Sequence, residues 1–141
     1  MIIKSGNGAS QVNMDALLIR DTVFIGEQGI DPALEHDQMD YERTHFVGYL
    51  EQQPVVTGRI NANQNSWHLE RVATLKNYRG RGFAQELLKF IMDQAQKQGI
   101  QSVDLNAQMS AQSFYFKLGF EAFGQPFYEA GLEHIKMHKN F

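Results

Sequence analysis

The sequence predicts an α+β fold, or a mixed α/β layer fold, on the basis of three observations. Short segments in which apolar and polar residues alternate are typical of strands and occur in both halves of the chain. Longer segments with apolar residues three or four positions apart are typical of helices. Glycines and polar turns separate these segments without an internal repeat. Because the chain has 141 residues, we expect one domain spanning residues 1–141.

The first half of the chain carries one helix and four strands by these patterns. Ser10 is a typical helix cap, an apolar stripe follows it from Val12 to Val23, and Gly26 favours a stop. Two apolar runs on either side of a turn at 52–54 then predict a hairpin. The predicted elements are a strand at 2–4, a helix from Ser10 to Gly26, strands at 46–50 and 55–60, and a strand at 66–75.

The second half changes from strand to helix periodicity at Gly82. Phe83, Leu87 and Ile91 lie four positions apart, and Gly99 favours the end of that helix. The remaining predicted elements are a strand at 102–106, a helix within 109–120 that ends at Gly119, and a strand at 133–139.

Composition excludes several classes of function. A formal net charge of -3 gives no basis for general nucleic-acid binding, which needs a basic surface. The chain has no cysteine, which excludes disulfides, thiolate metal sites and cysteine nucleophiles. No apolar run approaches the length of a membrane span, so no membrane partner is expected and the protein is expected in the cytoplasm.

Neither of two ligand patterns supports a metal ion. His134 and His138 have the spacing of a helical metal site, but the alternating segment around them predicts a strand, on which they lie roughly 13 Å apart. The acidic segment 27–42 has six carboxylates and few core-type residues but lacks the ligand order of a calcium loop. It is expected to be a surface loop or short helix, and we expect no metal site.

The segment YRGRGFA places a glycine-containing turn between a strand and a helix. A helix N-terminus offers unpaired N–H groups to phosphate oxygens, glycines at 80 and 82 let an anion approach them, and Arg79 and Arg81 add charge. The dinucleotide fingerprint fails because Gln85 stands where a glycine is needed, and the Walker pattern is absent. From these residues alone, a structural turn and a phosphate site remain alternatives.

One longer pattern fits this turn and its surroundings. Arg79, Gly82 and Ala84 match Q/R-x-x-G-x-G/A, which follows LERVATLKNY, and AQSFYFKLGF follows the next strand. In these motifs, and in their order, the chain resembles the GNAT superfamily of acetyl-coenzyme-A-dependent N-acetyltransferases. The end of the chain is most similar to a subgroup that includes glyphosate N-acetyltransferase. The resemblance implies a mostly antiparallel sheet of six to seven strands, splayed strands four and five, and helices on both faces.

The resemblance also implies acetyl-CoA as cosubstrate. Its pantetheine arm would lie between the splayed strands and bond to the backbone of Val72 and Thr74, in the strand HLERVATL. The full set of residues expected near acetyl-CoA is Val72, Ala73, Thr74, Arg79, Gly80, Arg81, Gly82, Phe83, Ala84, Asn106, Ser113 and Lys117.

Three side chains are candidates for the chemistry. Tyr115 corresponds to the tyrosine that protonates the departing thiolate, although an aromatic-rich helix also favours a packed core tyrosine. His134 matches the subgroup's base, although alternation leaves it on a solvated face.

Glu70 is the second candidate for the base. On an alternating strand it shares a face with His68, Val72 and Thr74. It could instead bind a cationic substrate or pair with Arg71 or Arg59.

The function implied is transfer of an acetyl group from acetyl-CoA to a primary amine of a small molecule, by direct attack in a ternary complex. The alternatives are a non-catalytic acyl-CoA-binding or sensing module, or an enzyme that acetylates a protein or peptide. The acidic segment 27–42 is then expected to be solvated, on the substrate side, where its charge attracts cationic amines. An edge strand near the C-terminus makes a homodimer a further hypothesis.

Overall fold

A computed structural model describes residues 1–141 and contains one seven-stranded sheet. The strand order is β1-β2-β3-β4-β5-β7-β6, and every neighbouring pair is antiparallel except β4 and β5. The predicted fold class is therefore confirmed. The strands are β1 (Ile2–Asn7), β2 (Thr44–Leu50), β3 (Gln53–Ala62), β4 (Ser66–Thr74), β5 (Ser102–Gln108), β6 (Glu121–Glu129) and β7 (Leu132–Asn140).

Helices cover both faces of the sheet. Phe46 and Val47 are neighbours on β2 and face opposite sides, so they belong to two separate cores, the larger packed against α3 and the smaller against α1. The helices are α1 (Gln11–Arg20), α2 (Pro32–Glu35), α3 (Phe83–Lys97) and α4 (Gln112–Lys117), and α1 continues as a π-helical segment, Asp21–Glu27. None of them combines the length and apolar character needed to cross a membrane.

The predicted helix from Ser10 to Gly26 has the right extent but two geometries. Ser10 caps α1, its hydroxyl oxygen accepting a hydrogen bond from the Asn13 N–H at 3.1 Å. The last part of the predicted helix winds as a π-helix, a form that is found often at functional sites.

Strand β6 was missed by the sequence patterns. Nearly all of its residues are exposed, so no buried face imposes alternation, and Gly124 and Pro126 lie where the pairing with β7 is irregular.

β4 and β5 separate after a short paired portion. Their parallel pairing joins 66–69 to 102–105, with Trp67 opposite Val103, and then stops although both strands continue. The predicted splay is confirmed, and it leaves one edge of β4 beyond Leu69 without a strand partner.

A β-bulge in β4 lies beside this splay. Between the pairs that Glu70 and Ala73 make with β3, β4 has two residues where β3 has only one. Arg71 takes up the extra length with a φ of 56°. As a result Val72 packs against the same core as Leu69, and the expectation that Glu70 and Val72 share a face is wrong.

Candidate active site

A cavity of about 630 Å³ opens where β4 and β5 separate. This volume lies within the range of small-molecule sites. Its wall is formed by the two splayed strands, the end of the π-helical segment, α2, α4 and the turn between β6 and β7. The predicted site residues that line it are Glu70, Val72, Ala73, Thr74, Arg79, Ala84, Asn106, Tyr115 and His134.

The other predicted cosubstrate residues lie outside the cavity wall. Gly80, Arg81, Gly82 and Phe83 lie at the beginning of α3, next to the wall residues Arg79 and Ala84. Ser113 and Lys117 are exposed on α4 and do not line the cavity.

The turn at residues 79–82, which we call the glycine turn, leaves the N-terminus of α3 accessible. Gly80 and Gly82 have φ values of 73° and 83°, and a Cβ built on either would meet no atom within 4 Å. No side chain caps α3, so no side-chain oxygen of the chain occupies its first-turn N–H groups. The geometry fits a phosphate group.

The two arginines of the glycine turn differ in their contacts. Arg79 donates from Nε to the Thr74 carbonyl at 2.9 Å and from Nη2 to Glu27 Oε1 at 2.8 Å. The Arg81 guanidinium lies over the rings of Tyr78 and Phe83, 5.7 and 5.1 Å from their centroids, and has no carboxylate partner. An anion at this turn therefore finds Arg81 unpaired and competes with Glu27 for Arg79.

Tyr115 belongs both to the core and to the cavity wall. Only 7% of the residue is exposed, and its ring packs edge-on against Phe114 and Phe120, with centroids 5.1 and 5.9 Å away. Its hydroxyl makes no hydrogen bond within the chain. Burial raises the pKa of the Tyr115 phenol above its ordinary value, so the hydroxyl keeps its proton at neutral pH.

His134 is buried in the cavity wall, contrary to the solvated face that alternation left open for it. Its Nδ1 lies 2.8 Å from the Leu132 carbonyl oxygen. A carbonyl only accepts hydrogen bonds, so Nδ1 carries the hydrogen and Nε2 of the neutral ring keeps a lone pair. Nε2 lies 3.7 Å from Glu129 Oε2, and the ring stacks on Phe127.

Comparison with known proteins identifies the family. The model of the acetyltransferase (GNAT) domain family matches residues 9–141. The chain belongs to the GNAT acetyltransferase family. It is 37% identical to the Bacillus subtilis protein YyaT over 89% of this chain and 86% of that protein. It is 33% identical to the N-acetyltransferase YjcF of the same organism, over 89% of this chain and 91% of YjcF.

Solved structures agree with this assignment of the GNAT domain. A crystal structure from Lactobacillus plantarum has a TM-score of 0.89 and 28% identity, covering 99% of each chain. A GNAT acetyltransferase from Elizabethkingia anophelis, solved with acetyl-CoA bound, has a TM-score of 0.72 and 14% identity, covering 99% of this chain and 97% of that one. At that identity the second comparison shows the fold alone.

Glu70 is held by two arginines in this GNAT domain. Its Oε1 accepts hydrogen bonds from Arg43 Nε and Arg59 Nε, both at 3.0 Å. The predicted alternative of a pair with Arg59 is therefore present, whereas Arg71 pairs elsewhere. This oxygen of Glu70 is therefore already the acceptor of two charge-assisted hydrogen bonds.

The acidic segment 27–42 is mostly exposed, as expected, but three of its six carboxylates, those of Glu35, Asp37 and Asp40, pair with arginines from α1 and the sheet. Glu35 is 2% exposed and lies 2.6 Å from Arg20 Nη2 and 2.7 Å from Arg71 Nε. Asp37 and Asp40 make equally short contacts with the arginines. We call this set the arginine–carboxylate cluster. Its members are Arg20, Arg43, Arg59, Arg71, Glu35, Asp37, Asp40 and Glu70.

The arginines of the cluster lower the pKa values of Asp37 and Asp40. Burial opposes the charge of Asp37 and Asp40, but hydrogen bonds and charges from Arg59 and Arg20 outweigh it and hold both pKa values below the ordinary carboxylate range. With four carboxylates and four arginines, the cluster has no formal net charge. The three carboxylates that the acidic segment contributes to the cluster therefore add no net negative charge to attract cationic amines, unlike the expectation for that segment.

Several cavity residues were missed by the sequence patterns. Gln28 and Gln108 exchange amide hydrogen bonds of 3.4 and 3.0 Å between the end of the π-helical segment and the end of β5. His68, in the cavity wall, hydrogen-bonds to Asp104. These contacts join residues 80 and 36 positions apart, so no local pattern could indicate them. Glu129 precedes a glycine-containing turn, the one local signal available for it.

Proposed function

We propose that this GNAT acetyltransferase transfers the acetyl group of acetyl-CoA to a primary amine of a small molecule, by direct attack with both reactants bound. One observation carries the proposal. A cavity at the splay has in its wall both a histidine nitrogen with a free lone pair and a buried tyrosine hydroxyl that keeps its proton. Removal of a proton from the amine and protonation of the leaving sulfur are the two proton transfers that the reaction needs.

The chain has suitable groups for the cosubstrate. When bound, acetyl-CoA supplies an activated acetyl group as a thioester. The glycine turn, with the N-terminus of α3 and Arg81, suits its pyrophosphate, and the unpaired edge of β4 beyond Leu69 suits the amides of its pantetheine arm. The carbonyl of Thr74 already accepts a hydrogen bond from Arg79, which leaves the Thr74 N–H and the backbone of Val72 as the freer partners, because the backbone groups of Ala73 face β3.

Three further residues, Asn106, Ser113 and Lys117, are proposed to contact different parts of acetyl-CoA. Asn106 lines the cavity at the unpaired end of β5, where its amide can reach the pantetheine arm or a water molecule. Ser113 and Lys117, both exposed on α4, are proposed only for the far, adenosine end.

His134 is the better candidate for the base, and Glu70 has other partners. Both line the cavity, but Glu70 Oε1 is held by two arginines, whereas Nε2 of His134 has only the Glu129 carboxylate near it. The lone pair of His134 Nε2 is therefore better placed than Glu70 Oε1 to accept a proton from the amine.

The protons balance with these two side chains. An ammonium group loses one proton to His134 Nε2, and the nitrogen then forms its bond to the acetyl carbon as the carbon–sulfur bond breaks. Tyr115 gives its proton to the sulfur, and a second proton leaving the nitrogen replaces it. The burial that makes the phenol a weaker acid also disfavours a thiolate beside it, so protonation of the sulfur remains favourable.

The test combines binding with turnover. Acetyl-CoA should raise the melting temperature of the protein, and a panel of small primary amines should give acceptor-dependent release of free thiol. If acetyl-CoA stabilises the protein but no small amine releases thiol above the background, the proposal fails. A non-catalytic acyl-CoA-binding module or a peptide acceptor then takes its place, and a peptide panel separates these two.

The same proposal has three further parts. The chain belongs to the subgroup that includes glyphosate N-acetyltransferase, it forms a single domain over residues 1–141, and it assembles as a homodimer. The exposed edge strand β6 is the feature that favours a dimer. Mass measurement in solution, at several protein concentrations, tests it.

A further inference from the structure

Glu129 differs from the other carboxylates in the cavity wall. Three carboxylates line the cavity, and two of them, Glu35 and Glu70, each contact two arginines. Glu129 contacts no arginine or lysine, and its side chain is 50% exposed. Within the cavity wall it is therefore the carboxylate whose charge no arginine or lysine of the chain compensates.

A two-residue turn holds Glu129 next to His134. Glu129 and Leu132 pair at the end of the β6–β7 hairpin, and the turn residues Ala130 and Gly131 have φ values of 52° and 77°. Two positive φ values in succession are the mark of a type I′ turn, which joins antiparallel strands tightly. Leu132 also accepts the hydrogen bond from His134 Nδ1. One turn therefore fixes the tautomer of the imidazole and the place of the carboxylate.

The spacing between these two groups suits a third polar atom. His134 Nε2 and Glu129 Oε2 are 3.7 Å apart, too far for a direct hydrogen bond. A nitrogen placed about 2.8 Å from each would form hydrogen bonds to both. An ammonium group has the hydrogens to donate to both, and its charge matches the uncompensated carboxylate.

We propose that Glu129 binds the ammonium group of the acceptor and presents it to His134 Nε2, so that the protein selects amines that are cationic when they bind. This inference rests on the proposed acetyl transfer and names the charge class of its acceptor. Glu129 is the binding group and His134 the proton acceptor. The arginine–carboxylate cluster, neutral as a whole, has no part in attracting the ammonium.

Binding without turnover is the primary test. The protein is loaded with coenzyme A, and the affinities for butylamine, which is cationic at pH 7, and for the uncharged butanol are measured by calorimetry. The wild-type protein should bind butylamine at least tenfold more tightly than butanol, and Glu129→Gln should remove this preference. Glu133→Gln is the matched control, because Glu133 is exposed, has the same charge and does not line the cavity. It should keep the preference.

Absence of a preference in the wild-type protein, or its survival in Glu129→Gln, would overturn the proposal. The turnover arm separates the inference from the proposed function. With active acceptors, Glu129→Gln should raise KM for cationic amines at least tenfold and leave KM for a neutral aromatic amine within twofold. Glu129-dependent binding without any thiol release would support the ammonium site while the acetyl transfer fails.

Discussion

The glycine turn and the arginine–carboxylate cluster lie at two sides of the same cavity and are built from different parts of the chain. The turn offers backbone N–H groups at an exposed helix N-terminus, with neighbouring residues of one short segment. The cluster joins side chains that lie far apart in sequence, such as Arg20 with Glu35 and Arg71 with Asp37, 15 and 34 positions away. A site built from neighbouring residues leaves a recognisable motif in the sequence, whereas a site built from residues far apart in the chain does not.

The largest expected effect falls on the cluster. Replacing Arg20 with Met should reduce the free energy of unfolding by about 3–5 kcal/mol, because it leaves part of the charge of Glu35 and Asp40 buried without its partner. Unfolding by denaturant measures this loss of free energy of unfolding. Arg81→Met is the control from the glycine turn, where loss of the contacts with two aromatic rings should cost about 0.5–1 kcal/mol. Equal losses in the two variants would remove the contrast between the regions.

The role of Tyr115, which lies in the wall of the same cavity, is tested by the variant Tyr115→Phe. Loss of the hydroxyl should lower kcat about 10²-fold, or about 2.7 kcal/mol, while the KM for acetyl-CoA changes little. The ring contacts with Phe114 and Phe120 remain, so the melting temperature should not fall. A loss of stability that parallels the loss of rate would instead indicate a packing role.

The glycine turn is tested by replacing Arg79 and Arg81 together with Gln. Loss of charge-assisted hydrogen bonds should weaken acetyl-CoA binding by about 2 kcal/mol and leave kcat at saturation nearly unchanged. Calorimetric titration with acetyl-CoA measures the change. Unchanged affinity would show that the backbone of the turn binds the cosubstrate without help from its arginines.

Acid should weaken the cluster before it affects the turn. The folded pKa values of Asp37 and Asp40 lie below the ordinary value, so the unfolded chain takes up protons first as the pH falls. Their contribution to stability is complete above about pH 5 and declines as the pH falls through about 4 and below. Urea unfolding of wild type and Asp37→Asn over this range should show a shallower pH dependence in the variant.

The smallest expected effect concerns Glu27, which pairs with Arg79 at the glycine turn. Glu27→Gln should tighten acetyl-CoA binding a few-fold, since an exposed ion pair contributes about 0.2–1 kcal/mol and the anion no longer competes with it. Glu42→Gln, at an exposed carboxylate without an ion-pair partner, is the charge-matched control. Weaker binding in Glu27→Gln would mean that the carboxylate orients Arg79 toward the anion.

The sequence predicted those features that depend on neighbouring residues. The strand, glycine turn and helix around Gly82 are local, as is the aromatic helix that carries Tyr115. The family resemblance that these motifs carry implied the sheet and its splay. The burial of His134 could not be predicted, because alternation places it opposite Ile135 but does not show that both sides of β7 are covered near the β6–β7 turn.

Contacts between residues far apart in sequence, and local changes of backbone geometry, could not be predicted from the sequence for physical reasons. Arg20 lies beside the apolar stripe of α1, and nothing local indicates that carboxylates from a later segment cover it. The bulge at Arg71 changes the facing of β4 through a positive φ at a non-glycine residue, which no composition signal marks. Because of the extra residue, Glu70 and Val72 lie on opposite faces of the sheet, although simple alternation assigns them to one face.

Trp67 gives the molecule a built-in optical reporter. It is the single tryptophan of the chain, 5% exposed, and lies in the paired portion of β4 just before the strands separate. Its indole should emit at short wavelength in the folded protein and shift to the red when this junction opens to water. Trp67 does not line the cavity, so its fluorescence should follow unfolding of the sheet at its branch point with little interference from binding.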